Sequence, residues 1–292
     1  VVIEGISIVN GAQTTGAIGS LKSAPNSQAM LPIRFIKTTD KDVIYDIIRY
    51  NNSQNKVTAP DFRSTDRVQR RLKKEMANIP SAEYEGGRRG GHEDLIRRKV
   101  NMLPSYTVGQ ALAAFHGDPI VAYNQKSDIW ISDNLYAKYF NENTTAAHIV
   151  FSYSLLRAVE NRKIELINKV KEYDNSLTAS EQKQLEFFRN RGATYLLVSG
   201  IASCCEIYAK QRIEDSYRLG FTNLVSPKQA EGYWREIVLI VAPFCTHLSD
   251  AISDGLKNAD KVRKVLQTFQ SLVEATAESN STKYREFASH MK

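Results

Sequence analysis

Cysteine is scarce in this 292-residue chain. Cys204, Cys205 and Cys245 are the whole complement, and none stands at a metal-binding spacing. That excludes a disulfide scaffold and a Cys-based zinc site, and thiols in apolar helical surroundings read as buried structural groups in a reducing cytoplasm. No apolar run approaches the roughly 20 residues of a membrane span, and no secretory signal opens the chain. Histidine is also sparse: His92-Glu93-Asp94 offers ligand types, but no second histidine stands at helical spacing from it, which argues against zinc. His116-Gly117-Asp118 before Pro119 reads as a turn, and His148 and His247 as packing or capping residues within helices. There is no Walker-type loop and no serine or cysteine nucleophile elbow. The carboxylate–x–lysine string Glu181-Gln182-Lys183 sits in the first turn of a predicted helix, with no acidic strand before it, so it reads as a capping feature and not a metal-nuclease site. These absences predict that the chain as given lacks a complete active site, and no cofactor or metal is indicated.

What remains is an ordinary globular composition, 42% hydrophobic and 9% aromatic, long enough for one large core or two smaller ones. The net charge of +7 favours an anionic partner without naming one. The chain starts without Met and inside an apolar alternating run, which reads as a fragment lacking an N-terminal segment.

The pattern predicts an α+β fold, with a small β-α-β-α module at the N-terminus followed by a mainly α-helical array. The module would use a strand at Val1–Val9, a helix from Ala12 to Leu21, a strand at Pro32–Thr39 and a helix at Lys41–Tyr50. An amphipathic helix follows over 62–79, then a Gly-rich basic loop, helix-like Val108–Phe115 and a short hairpin or loop around Trp130. Helical periodicity then runs through 145–173, 179–212, 227–255 and 259–289. Thr178 with Glu181, and Ser226 with Gln229, have capping-box spacing, and Pro227 suits a first helical position. A soft boundary near residue 143 divides the chain into 1–143 and 144–292.

Two surfaces stand out. In the first, an apolar run ends in the glycine turn Ile8-Val9-Asn10-Gly11-Ala12-Gln13-Thr14-Thr15 and opens a helix, which leaves backbone N–H groups free for an anion. Asn10, Gly11, Gln13 and Thr14, with Asn52 and Gln54 from the loop after the second helix, form a polar cluster. It could read a base or sugar edge, or lock two turns together through mutual amide bonds. In the second, Val68, Leu72, Met76 and Ile79 fall on one face of the 62–79 helix, with Arg63, Arg67, Arg70 and Lys74 opposite and Arg71 between. Arg88 and Arg89 in the following loop could extend this face, as could Arg97-Arg98-Lys99. Residues 59–101 hold eleven Lys/Arg against seven Asp/Glu, a modest field. Such a ridge suits phosphate oxygens, and with only Phe62 and Tyr84 nearby, backbone contact to duplex DNA fits better than base stacking. The other reading is a solvated face, or ion pairing within the fold or with a protein.

The VNG-x-QT turn, the two following elements, the N-x-Q loop and the basic helix come in an order that resembles the AIPR family, named for abortive infection and phage resistance. Asp61-Phe62, Ser64-x-Asp66, Tyr84-Glu85, Arg88-Arg89-Gly90, Gly109-Gln110-Ala111 and Ala113-Ala114-Phe115 continue the match from Ile3 to about Phe140. The resemblance implies a bacterial, cytoplasmic phage-defence protein, of abortive-infection or restriction-linked type, with nucleic acid (DNA before RNA) and other defence proteins as partners. Family members usually carry a further, often nuclease-like, N-terminal segment. The early module is also similar in layout to ParB and sulfiredoxin-like domains and to DGQHR-type regulators. Their G-x-x-R-x-x-A turn is matched at Gly11 and Ala17, but Thr14 replaces the phosphate-binding arginine and Asn10 an acidic residue. Two alternatives stay open. One is a nuclease, with catalysis in the absent segment or at Arg285 and His290, an R-x4-H spacing similar to HEPN ribonucleases but at the chain's end. The other is a non-catalytic scaffold for an acidic partner protein.

Overall fold

A computed structural model describes residues 12–21, 23, 26, 28–31, 33–40, 42–43, 59–86, 101–172 and 177–292. Two compact units are formed, Val1–Thr58 and Ala59–Lys292. In the first, helix α1 (Ala12–Gly19) matches the helix expected after the glycine turn. Residues 33–39, read as a strand, carry no strand. A strand needs a paired edge or a buried face, and Ile33, Phe35 and Ile36 are 66%, 70% and 50% exposed. The strand expected at Val1–Val9, the helix beyond Val43 and the Asn51–Gln54 loop lie outside the described residues.

The second unit is an α+β assembly, mainly helical. It opens with a 3-10 turn (Ala59–Arg63) and helix α2 (Arg67–Met76), where the pattern predicts one helix over 62–79. The break has a local cause: the Asp66 carboxylate accepts the Val68 N–H at 2.7 Å and the Gln69 N–H at 3.4 Å, an N-cap that fixes the helix start. The β component is two short parallel strands, β1 (Glu83–Tyr84) and β2 (Met102–Leu103), with Glu83 opposite Met102 and Tyr84 opposite Leu103. Just after β1, Glu85 accepts the Ser105 N–H at 2.8 Å. This places a carboxylate at the start of helix α3 (Ser105–Phe115), where Pro104 has no side chain with which to cap it.

Helices α4 (Pro119–Asn124), α5 (Asp128–Ile131) and α6 (Asp133–Tyr139) follow. The segment around Trp130 is therefore helical, and not the hairpin or loop read from sequence. Ser132 caps α6 by accepting the Leu135 N–H, and the Trp130 and Phe140 rings pack at 4.7 Å. Trp130 is fully buried beside Gly109, where an added Cβ would stand 3.1 Å from the indole nitrogen. Gly109→Ala should therefore cost about 1–3 kcal/mol by overpacking. Urea titration checks this, and a midpoint equal to the parent's would refute it.

Helix α7 (Ala146–Glu172) spans about 40 Å at 1.5 Å per residue. It buries Ile149, Phe151, Leu155, Leu156, Val159 and Leu166 along its length. Helices α8 (Ala179–Phe188), α9 (Ala193–Ala202) and α11 (Pro227–Val241) pack on it. In turn α12 (Ala259–Ala275) packs on α9 and on Ala242–Ala251, and α13 (Ser281–His290) on α11 and on α10 (Cys205–Ala209). The capping box at Thr178 and Glu181 is formed as read, and Ser226 caps α11 with Pro227 following it. The single run expected over 179–212 is divided at Gly192, whose φ of 82° only glycine adopts readily. That expected over 227–255 becomes 3-10 at Ala242–Ala251, because Pro243 brings no backbone donor. The C-terminus is tied down: Lys292 and Gly220 exchange backbone bonds and His290 O accepts the Thr222 N–H at 2.8 Å.

All three cysteines are free and buried. Burial pushes the Cys204 thiol up to about 11 and Cys245 to about 12, so both are inert structural thiols. Among the described residues no single helix is long and apolar enough to cross a membrane.

Candidate nucleic-acid interface

Helix α2 presents two faces with different chemistry. Leu72, Met76 and, just beyond the helix, Ile79 are buried as the apolar pattern requires. Within the same face lies Gln69, fully buried, whose amide donates to the Tyr136 hydroxyl at 3.0 Å and accepts from the Tyr84 hydroxyl at 2.8 Å. Burial raises both phenols well above their ordinary range, so they remain neutral donors and acceptors. This amide fastens α2 to β1 and α6. Its sequence signal was a polar residue three and seven positions before Leu72 and Met76, on the core side of the wheel.

The arginines divide in two. The Arg63 guanidinium donates to Trp130 O at 2.9 Å and to the Asp133 carboxylate at 2.5 Å, and it lies 4.3 Å above the Tyr136 ring. It clamps the Ala59–Arg63 turn onto α5 and α6. Arg71 bonds Glu75 at 2.7 Å and also the carbonyls of Asn141 (3.1 Å) and Thr144 (2.9 Å). Glu75 in turn accepts the Ala146 N–H at 2.9 Å, at the first residue of α7. Both guanidiniums are thus engaged inside the fold. Arg67, Arg70 and Lys74, by contrast, are exposed and form no ion pair with any described residue. They stand three and four residues apart on one helix, a ridge about 10 Å long.

Arg88, Arg89, Asn10, Gly11, Asn52 and Gln54 lie outside the described residues. Gln13 and Thr14 fall in α1, in the other compact unit. Of the two aromatics near the ridge in sequence, Tyr84 is buried, while Phe62 is 37% exposed. Arg285 and His290 share α13 but are five residues apart, about 140° around the helix. Arg285 donates to Ser281 O in its own helix and the His290 ring stacks on Tyr233 at 4.1 Å, so the structure does not bring the two together within one chain.

Sequence reading missed one polar cluster. His116, at the end of α3, and His148, in α7, bring their Nε2 atoms to 3.0 Å. The His148 Nδ1–H donates to Leu219 O at 2.9 Å, so its Nε2 accepts from the His116 Nε2–H; the His116 Nδ1 then faces the Ser216 hydroxyl at 3.4 Å. Tyr217 stacks on His116 at 3.8 Å. Burial, with the neighbouring ring and Lys138, lowers His116 to about 3, and burial lowers His148 to about 4. This neutral pair pins residues 216–219 to α3 and α7. His247 lies exposed within Ala242–Ala251, which leaves only the capping half of its packing-or-capping reading. Among the described residues no three His, Cys, Asp or Glu side chains are grouped to hold a metal.

The described architecture is that of an α+β, mainly helical protein bearing a short cationic ridge. The chain matches the AIPR protein family model over residues 1–284 and belongs to that family. Membership suggests a role in phage defence by abortive infection. Among curated proteins and solved structures, none matches the chain.

Proposed function

We propose that this protein engages nucleic acid during phage defence, through phosphate contacts from the outer face of α2. The observation that supports this reading is the exposed row of Arg67, Arg70 and Lys74, without an ion pair among the described residues, on a helix whose opposite face is locked into the core. A rigidly held helix presents its cations at fixed spacing, and Arg forks take phosphate oxygens in pairs. Arg63 and Arg71 position the ridge, and Arg88 and Arg89 remain in the proposed contact set on sequence grounds alone. The contacts are to backbone, with DNA favoured over RNA, and they would sense the presence of DNA more than its sequence.

The test is a salt series with a short duplex. Neutralising three phosphates gives a slope of log affinity against log salt of about −2.7. Arg67→Ala/Arg70→Ala/Lys74→Ala should flatten the slope by roughly that amount and weaken binding at low salt. An affinity and slope identical to the parent's would refute the reading. An acidic protein that binds this face in nuclease-treated material, with no DNA binding by the parent, would replace it with the scaffold reading.

A further inference from the structure

A groove of about 380 Å³ lies between the C-terminal half of α7 and helix α8. Its floor is apolar, made by Ile167 and Val170 of α7 and Leu185 and Phe188 of α8, and Lys163, Lys171 and Arg189 line its rim. The wheel of α7 shows why it exists. Leu155, Val159 and Leu166 occupy one narrow arc and are fully buried. Arg162 and Lys169 lie to one side of that arc and are spent on Glu165 and Glu181. Lys163, Ile164, Ile167, Val170 and Lys171 fall to the other side, within about 120°. Ile164 is 48% exposed and carries the apolar line one turn beyond the groove. The helix therefore bears a second apolar stripe that its own core does not use.

The rim decides what fits. Lys163, Lys171 and Arg189 form no ion pair among the described residues, unlike Lys169 two positions before Lys171, which reaches Glu181 at 2.7 Å. An apolar floor between unpaired cations complements an apolar ligand edged by negative charge. Two adjacent helices with a furrow between them accept a third helix by ordinary ridge-into-groove packing.

We propose that this groove docks an amphipathic helix of a partner protein, with aliphatic side chains at i, i+4 and i+7 flanked by acidic ones. The aliphatic side chains would lie over Ile167, Val170 and Leu185, and the flanking carboxylates would meet Lys163, Lys171 and Arg189. The surface is separate from the α2 ridge and does not depend on the DNA reading.

The probe is a synthetic, fluorescein-labelled helical peptide with leucines at those positions and glutamates beside them, titrated with the full chain by anisotropy. A matched peptide with lysine for glutamate is the control. Saturable binding of the acidic peptide alone is expected. Lys163→Glu/Lys171→Glu/Arg189→Glu, all surface changes, should weaken it at least tenfold and admit the lysine peptide instead. Arg67→Ala/Arg70→Ala/Lys74→Ala should leave peptide binding unchanged. The proposal is overturned by no saturable binding, by equal binding to the charge-reversed variant, or by loss of binding in the α2 variant. Saturable uptake of dodecanoate without peptide binding would likewise overturn it, making the groove a site for a small amphiphile.

Discussion

Lowering the pH from 7 to 5 should strip the protein of a few kcal/mol of folding stability. The cause is the buried pair of His116 and His148. In the unfolded chain each imidazole takes a proton near pH 6.5, whereas in the fold their values are lowered to about 3 and about 4. A base whose folded value is depressed binds fewer protons folded than unfolded, so stability is complete above pH 6.5 and falls as pH drops toward 4. By pH 5 the loss is about 2 kcal/mol for each histidine. Charging either ring also removes an acceptor, because His148 Nε2 takes the His116 proton at 3.0 Å while its Nδ1–H is held by Leu219 O. The charged groups around the pair do not rescue it. Lys138 opposes a positive His116 and is paired with Asp118, which also accepts from Tyr139 at 2.8 Å. Asp215 favours a charged His148 but is outweighed by burial. Glu181, held down to about 2 by its bond from Lys169, loses its contribution only as pH falls below about 4.5, so the two effects occupy different windows. Urea titrations at pH 7, 6, 5 and 4.5 test this, with His148→Gln as the comparison. The variant should be weaker at pH 7 and show a shallower slope between pH 6.5 and 5. Equal midpoints for the parent at pH 7 and pH 4.5 would refute the account.

The pair also shows where sequence reading stops. Features fixed by short-range chemistry were legible: the Thr178–Glu181 capping box, the Ser226–Pro227 helix start, and the apolar face carried by Leu72, Met76 and Ile79. Each depends on residues within about two turns. His116 and His148 are 32 residues apart and Leu219 is 71 beyond His148, so no local spacing signals their meeting. The division among the arginines was hidden for another reason. Counting carboxylates finds Asp133 and Glu75, but Arg63 and Arg71 are held largely by carbonyls of Trp130, Asn141 and Thr144, and every residue carries a carbonyl. Charge arithmetic on a sequence cannot see an arginine spent on backbone. The apolar stretch Ile33–Ile36 failed from the opposite cause: β propensity marks residues suited to a half-buried surface and does not supply one.

Gln69→Leu should destabilise the protein by about 2–4 kcal/mol while leaving the outer face of α2 chemically intact. Leucine has nearly the amide's volume, so packing is not the loss. What is lost are two bonds inside the core, at 3.0 Å to Tyr136 and 2.8 Å to Tyr84, and two buried hydroxyls are then without this partner. Leaving the Tyr84 hydroxyl unsatisfied costs about 1–3 kcal/mol, whereas Tyr136, which also bonds Asp66, loses one neutral bond worth about 1 kcal/mol. Gln69→Glu should be no remedy: a carboxylate can accept from both phenols but must be desolvated to do so. The double change Tyr84→Phe/Gln69→Leu should recover part of the loss, because one unpaired hydroxyl goes with its partner, and that recovery marks a bond lost as distinct from simple mispacking. The contrast with Arg67→Ala/Arg70→Ala/Lys74→Ala is what gives the experiment its force. Those side chains are exposed and unpaired among the described residues, so removing them should lower the unfolding free energy by no more than about 0.5 kcal/mol while taking about 2.7 from the salt slope of DNA binding. One helix would then carry two separable functions, a buried amide that holds it in place and a row of cations that place makes available. If the alanine variant instead unfolds as readily as Gln69→Leu, the cations are part of the scaffold, and α2 is a structural helix with no free charge to offer a phosphate.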